Sequence, residues 1–236
     1  MTESQNTLPE IPILYRDEHL IVVHKPSGLL MHRSPISQDT VFLLQTLRDQ
    51  IGQRVYPVHR LDRATSGVLL LGLNPDIARE LVTQFESHQI TKSYHALVRG
   101  WVDDKGEINR PVADEEGNNI PQEAVTRYRC IDKVELPVAI GRYPTSRYSI
   151  VEAEPLTGRR QQIRKHFKHI SHHIIGDTTH GDGKHNAYFR EHHGIFRLML
   201  TSKQLGFTHP ETQEKMSIDA LEELEWQRLN TIFRVT

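Results

Sequence analysis

The 236-residue chain is predicted to fold as one domain of the α/β class, α+β in type, spanning residues 1–236. Three observations carry this. Short runs of β-branched and aliphatic residues, bounded by Gly or Pro, recur along the chain as buried strands do. Segments with apolar residues at helical spacing interrupt them. No internal repeat, low-complexity tract or linker divides the sequence.

The elements follow in order. Ile13-Leu14-Tyr15 and Leu20-Ile21-Val22-Val23 flank the polar stretch Arg16 to His19, the pattern of a hairpin. Asp39 or Thr40 can cap a helix through Ile51, with Val41, Leu44 and Leu47 at helical spacing and Gly52 after its end. Val55 to Val58 and Val68 to Leu73 read as buried strands on either side of a polar loop. Asn74 and Pro75 supply an N-cap and a first-turn proline for a helix reaching about His88, apolar along Ile77, Leu81, Val82 and Phe85. Tyr94, Ala96 and Val98 alternate as in a strand. Asp103 to Gln122 is polar and contains Gly and Pro, as an exposed loop or ribbon does. Arg127 to Val138 and Arg147 to Ala153 are strands joined through a turn at Gly141 to Pro144. From Gly158 the period changes: Ile163, Phe167 and Ile170 mark one buried helical face. Arg160, Arg164 and Lys168 form a basic stripe beside it, and Arg164 borders the buried face closely enough to point inward. Arginines near a helix N-terminus suit an anion. Arg197 to Leu200 and Gln204 to Thr208 are short strands. Ile218 to Phe233 is an amphipathic helix with Leu221, Leu224, Leu229 and Ile232 inside.

Composition excludes some classes of function. No stretch reaches the roughly 20 apolar residues that span a bilayer. Met1 to Pro9 is polar and lacks an apolar signal region, so the expected compartment is the cytoplasm. Cys130 is the only cysteine, which excludes an internal disulfide and suits a reducing environment. The net charge of −1 hides an uneven distribution. Leu156 to Gly206 carries nine Lys or Arg against three acids, whereas Phe207 to Thr236 carries six acids against three bases. A basic central third and an acidic tail suit an anionic polymer held on one face.

Chemistry concentrates in His59-Arg60-Leu61-Asp62-Arg63-Ala64-Thr65-Ser66-Gly67, the loop between the two central strands. Its one carboxylate lies between Arg60 and Arg63, which favour ionisation and can also receive phosphates. Asp62 and Ser66 would equally serve as turn residues that satisfy backbone donors.

HRLDRATSGVLLLG resembles the central motif, H-R-L-D-x-x-T-S-G, of the RluA-type RNA pseudouridine synthases. Four further stretches resemble family motifs in the expected order: His24 to Leu29 (K-P-x-G), Lys92 to Gly100, Gly158 to Arg164, and Arg197 to Leu200. The resemblance is closest to the branch that acts on tRNA uridine 65; Gly141-Arg142-Tyr143-Pro144-Thr145 is taken as the branch mark. It implies a mixed, mostly antiparallel sheet flanked by helices; family members often carry a separate small N-terminal RNA-binding domain, and none is expected here because the sequence begins almost at the catalytic core. It also implies isomerisation of a uridine to pseudouridine, with Asp62 as catalytic carboxylate, Arg164 pairing with it and Tyr94 stacking on the uracil. Whether Asp62 attacks sugar or base, or removes a sugar proton, stays open. Arg60, Arg63, Arg159, Arg160 and Lys168 are the expected RNA contacts. The reaction needs no cofactor. The implied partner is tRNA, with ribosomal RNA as the alternative within the family and a non-catalytic RNA-binding module as the alternative outside it. No membrane and no obligatory protein partner is implied, so a monomer is expected.

Two positions depart from the family pattern. Gln161 stands where G-R-x-H-Q-[LI]-R has histidine, and His180 where G-D-x-x-Y-G has tyrosine. Eight of the fifteen histidines lie between His166 and His193. Their spacing fits no zinc motif and no cysteines assist, so no metal is expected and they read as loop residues facing RNA or solvent.

Overall fold

The computed structural model describes residues 10–32, 39–114 and 119–233. Among these residues ten strands form one sheet, almost all antiparallel: β1 (Ile13–Arg16), β2 (Leu20–Lys25), β3 (Tyr56–Pro57), β4 (Ser66–Gly72), β5 (Thr91–Arg99), β6 (Lys105–Asn109), β7 (Val125–Leu136), β8 (Ser146–Pro155), β9 (Leu200–Thr208) and β10 (Lys215–Asp219). Five helices flank them: α1 (Leu43–Ile51), α2 (Pro75–Glu86), α3 (Gln162–His169), α4 (Gly183–His193) and α5 (Leu224–Phe233). The strands run β1-β2-β4-β9-β5-β8-β7-β6, with β10 on β9 and β3 on β4.

Helices cover both faces, which is why β2 and β4 are buried at every residue. On one face Leu20, Val22, Val68 and Leu70 pack with Ile77 and Leu81 of α2. On the other, Ile21, Val23, Leu69 and Leu71 pack with Leu43 and Leu47 of α1. Across the second half of the sheet, Ala96, Val98 and Val151 meet Ile163 and Phe167 of α3. Leu97 and Tyr148 meet Phe189 of α4 and Leu229 and Phe233 of α5. Alternation along β5 thus sends successive side chains into two different cores.

The sheet's one parallel contact joins β4 to β9 through Ser66↔Thr201 and Gly67↔Ser202. Gly67 makes it possible: its φ is +108°, and a Cβ there would lie 2.1 Å from the Ser202 carbonyl oxygen. Only glycine tolerates both conditions.

Several elements differ from expectation, each for a physical reason. Neither Asp39 nor Thr40 caps α1. Its N-cap is Phe42, without a side-chain bond, because the Leu30 and Met31 carbonyls accept from the Leu43 and Leu44 N–H groups. Asp39 binds Arg63 instead. Residues 197–208 hold one strand, β9, since Ser202 pairs with Tyr94 and Gln204 with Ser93 on either side of a bulge at Lys203, so the polar residues do not end the pairing with β5. The C-terminal helix begins at Leu224: Ile218 belongs to β10, opposite Leu205, and Leu221 and Leu224 are 49% and 66% exposed. Part of the polar 103–122 stretch is the ribbon strand β6, paired with β7. The histidine-rich segment forms α4, capped by the Asp182 carboxylate on Lys184 N and closed by Gly194 in the left-handed region.

Candidate active site

The loop that precedes β4 is fixed from below by the segment after β2. Lys25, fully buried, donates to the carbonyls of Pro26 (3.0 Å), Arg63 (3.0 Å) and Thr65 (2.8 Å). Burial pushes its pKa down to about 7, against the pull of Asp62 and Glu223. Three acceptors call for three donors, which only the ammonium form supplies. Ser27 Oγ donates to the Ala64 carbonyl and Gly28 N to that of Arg63. The Lys-Pro-Ser-Gly segment is thus the cradle of the Asp62 loop.

Asp62 is partly buried, and its Oδ2 lies 3.4 Å from Nη1 of Arg164. Arg164 points inward from α3 with its side chain 6% exposed. Its stronger partner, however, is Asp177: Nε reaches Oδ2 at 2.7 Å and Nη2 reaches Oδ1 at 2.8 Å. Burial would raise the Asp177 carboxyl, but Arg164 and the N–H groups of His180 and Thr179 hold it below the ordinary range. Burial would likewise lower the Arg164 guanidinium, and the two carboxylates raise it instead. Asp177 therefore fixes Arg164 in a bidentate fork and leaves one nitrogen for Asp62.

Tyr94 reaches the same place through sheet register. It pairs with Ser202 of β9, which also pairs with Gly67 at the end of the Asp62 loop. The register shifts between Ser93 and Tyr94, where β9 carries the extra residue Lys203. Burial, with the Asp62 charge adding to it, raises the phenol to about 12, so Tyr94 is protonated at neutral pH.

Asp62, Tyr94 and Arg164 line one cavity of about 510 Å³, within the range of a small-molecule pocket. Arg60 and Arg159, both exposed, line it too, as do His59, Lys92, Gln161 and Gln162. The Lys92 amine has no hydrogen-bond or ion-pair partner among the described residues, although the backbone pairs with Leu205, and burial lowers its pKa. His59 stacks on Phe85 and accepts from Leu70 N through Nε2 (3.0 Å); burial first, then Lys92, takes its pKa down to about 3. A neutral imidazole and three cations thus surround a mouth that carries one exposed acid, Glu86.

Three expected RNA contacts lie off the cavity lining. Arg63 is held by Asp39 and the Gly28 carbonyl, Arg160 by Asp114, and Lys168 is exposed on α3. The histidines are mostly structural pins rather than residues facing RNA or solvent. His166 bridges Thr126 and the Arg110 carbonyl, His172 meets the Arg99 carbonyl, and His185 meets the Tyr148 hydroxyl. Among the described residues no three His, Cys, Asp or Glu are grouped to hold a metal. Asp177 and Lys92 both lie inside stretches that resemble family motifs, yet no spacing rule announces a fork across thirteen residues or an unpaired amine in a cavity.

Comparison with known proteins agrees with this geometry. Residues 19–169 match the family described as RNA pseudouridylate synthase. A "tRNA pseudouridine synthase C" of Vibrio cholerae is 47% identical over 233 residues, covering 94% of this chain and 96% of the relative. One of Pectobacterium carotovorum is 49% identical over 94% of this chain, which spans 62% of that relative's length. Among solved structures, human RNA Pseudouridylate Synthase Domain Containing 4 superposes with a TM-score of 0.72 at 21% identity, covering 94% of this chain and 93% of that one. Human RNA Pseudouridylate Synthase Domain Containing 1 gives 0.69 at 23% identity, covering 96% of each. These two similarities concern the fold.

Proposed function

The chain belongs to the RNA pseudouridylate synthase family, and from that premise we propose that it isomerises uridine 65 of tRNA to pseudouridine, with Asp62 as the catalytic carboxylate. The observation that carries the reading is the convergence of Asp62, Tyr94 and Arg164, from three separate motifs, on one cavity. The names of the relatives support tRNA as the substrate.

The reaction breaks uracil N1–C1′, turns the base and joins C5 to C1′. The C5 proton is lost and N1 gains one, so atoms balance without a cofactor or a second chain. Asp62 meets the reacting nucleotide as a carboxylate whose Oδ1 has no protein donor among the described residues. Arg164 aims it through one nitrogen, and a fixed donor in an enclosed site acts more strongly than one in water. The Tyr94 ring holds the detached uracil; base–aromatic stacking is worth roughly 1–3 kcal/mol. The target must leave its helix, at a cost of a few kcal/mol. Arg60, Lys92 and Arg159 at the cavity offset this by meeting phosphates.

The test is tritium release from C5-labelled transcripts. Release from tRNA, lost when position 65 is changed, is the expected result. Release from ribosomal RNA alone would move the substrate, and silence on both would favour a binding module.

A further inference from the structure

Gln161 occupies the left-handed region (φ 55°, ψ 25°) at the N-cap of α3, yet makes no side-chain capping bond. A non-glycine residue in that conformation is uncommon and is held there by its surroundings. Its side-chain oxygen meets Nε2 of His180 at 2.8 Å. His180 is 6% exposed and fixed by its own backbone: its N–H donates to Asp177 Oδ1 (2.8 Å) and its carbonyl meets His173 Nδ1 (2.7 Å). An amide oxygen can only accept, so Nε2 of His180 is the donor in this contact, and burial lowers the pKa of the ring. The two positions that depart from the family pattern therefore touch. With its oxygen engaged, Gln161 keeps an amide nitrogen that has no partner among the described residues, on a side chain lining the Asp62 cavity.

We infer that Gln161 contacts the substrate, its amide nitrogen donating to an acceptor oxygen of the target nucleotide, and that His180 is the positioning residue that aims it. This rests on the functional reading above. A hydroxyl or water would serve as a donor in any orientation. An amide held by its oxygen points one way, which makes the contact selective for an acceptor in that place.

The diagnostic variant is Gln161→Glu, whose carboxylate still accepts from His180 but offers no donor. It should melt as the wild type does and lose at least 10-fold in kcat/KM. Gln161→Ala should lose about 3- to 10-fold, the worth of one neutral hydrogen bond. His180→Phe should lose a similar factor, and the double variant Gln161→Ala with His180→Phe should be no worse than Gln161→Ala. Substrates with a thiocarbonyl in the target base, or a methylphosphonate beside it, separate the two sources of the acceptor. The Gln161→Ala effect should vanish on whichever substrate lacks the oxygen in question. Gln161→Glu and Gln161→Ala within 2-fold of the wild type would overturn the inference alone. A wild type inactive on every tRNA transcript would overturn the functional reading and the inference with it.

Discussion

Asp177→Asn removes the negative charge that holds Arg164 while keeping the side chain's size. The ion pair it breaks is buried, with side chains 6% and 1% exposed. Removing one partner of such a pair costs about 3–5 kcal/mol, because the other charge is left without compensation. For a chain of this length that corresponds to a melting temperature lower by about 6–20 °C. The catalytic effect is separate. Arg164 keeps at most one neutral acceptor in place of the fork on Nε and Nη2 and is free to turn toward Asp62, which it now reaches only through Nη1 at 3.4 Å. A displacement of about 1 Å at a reacting group is enough for a 10²-fold loss of rate. The assay pairs thermal unfolding with tritium release at saturating RNA. Replacing both partners, Arg164→Met with Asp177→Leu, should recover part of the stability and none of the turnover, since no buried charge is left unpaired. An Asp177→Asn enzyme that melts within about 2 °C of the wild type, where a loss of 1 kcal/mol already moves the midpoint that far, and turns over normally would refute the reasoning.

Lys25→Met should cost about 2–3 kcal/mol in chemical unfolding, because three loop carbonyls lose a common donor; an unchanged midpoint would remove Lys25 as the cradle. Tyr94→Ala should lower kcat/KM roughly 5- to 150-fold, the equivalent of one stacking contact, measured by tritium release at limiting RNA. Acid should destabilise the fold in two steps. The folded pKa of His59 is about 3 against an ordinary 6.5, so the unfolded chain binds the extra proton and stability falls as pH drops through that window, by at most about 1.4 kcal/mol per pH unit. Below pH 4.5 Glu223 adds to the loss. Against the effect of burial, His24 and Arg197 hold its pKa at about 2, and this contribution disappears as the carboxylate protonates. Urea midpoints at pH 7, 5 and 4 check the sign; a midpoint that rises on acidification contradicts it.

What was legible in the sequence was local. Asn74-Pro75 announces α2 because the asparagine oxygen can accept only from nearby N–H groups, and it does so from Asp76 and Ile77. Ile163 and Phe167 announce the buried face of α3 by spacing alone. The α1 cap was not legible, because its donors are satisfied by Leu30 and Met31, outside any capping pattern. The end of β10 read as helix because Ile218, Leu221 and Leu224 happen to fall at helical spacing, while register with β9 decides where Ile218 points. In the site, Asp62, Tyr94 and Arg164 were legible through motifs. The Asp177 fork and the Gln161–His180 contact depend on how residues 176–181 fold back onto α3. Gly176 governs that approach: at φ +79° its α-carbon passes so close to Arg197 that a Cβ would lie 1.8 Å from the carbonyl oxygen. No periodicity encodes such proximity.

The most direct test of the account is tritium release from C5-labelled tRNA by the wild type and by Asp62→Ala, with RNA affinity measured on both. The expected result is release by the wild type, none by the variant, and affinities within a few-fold of each other. Equal release by Asp62→Ala would take the carboxylate out of the mechanism and contradict the account.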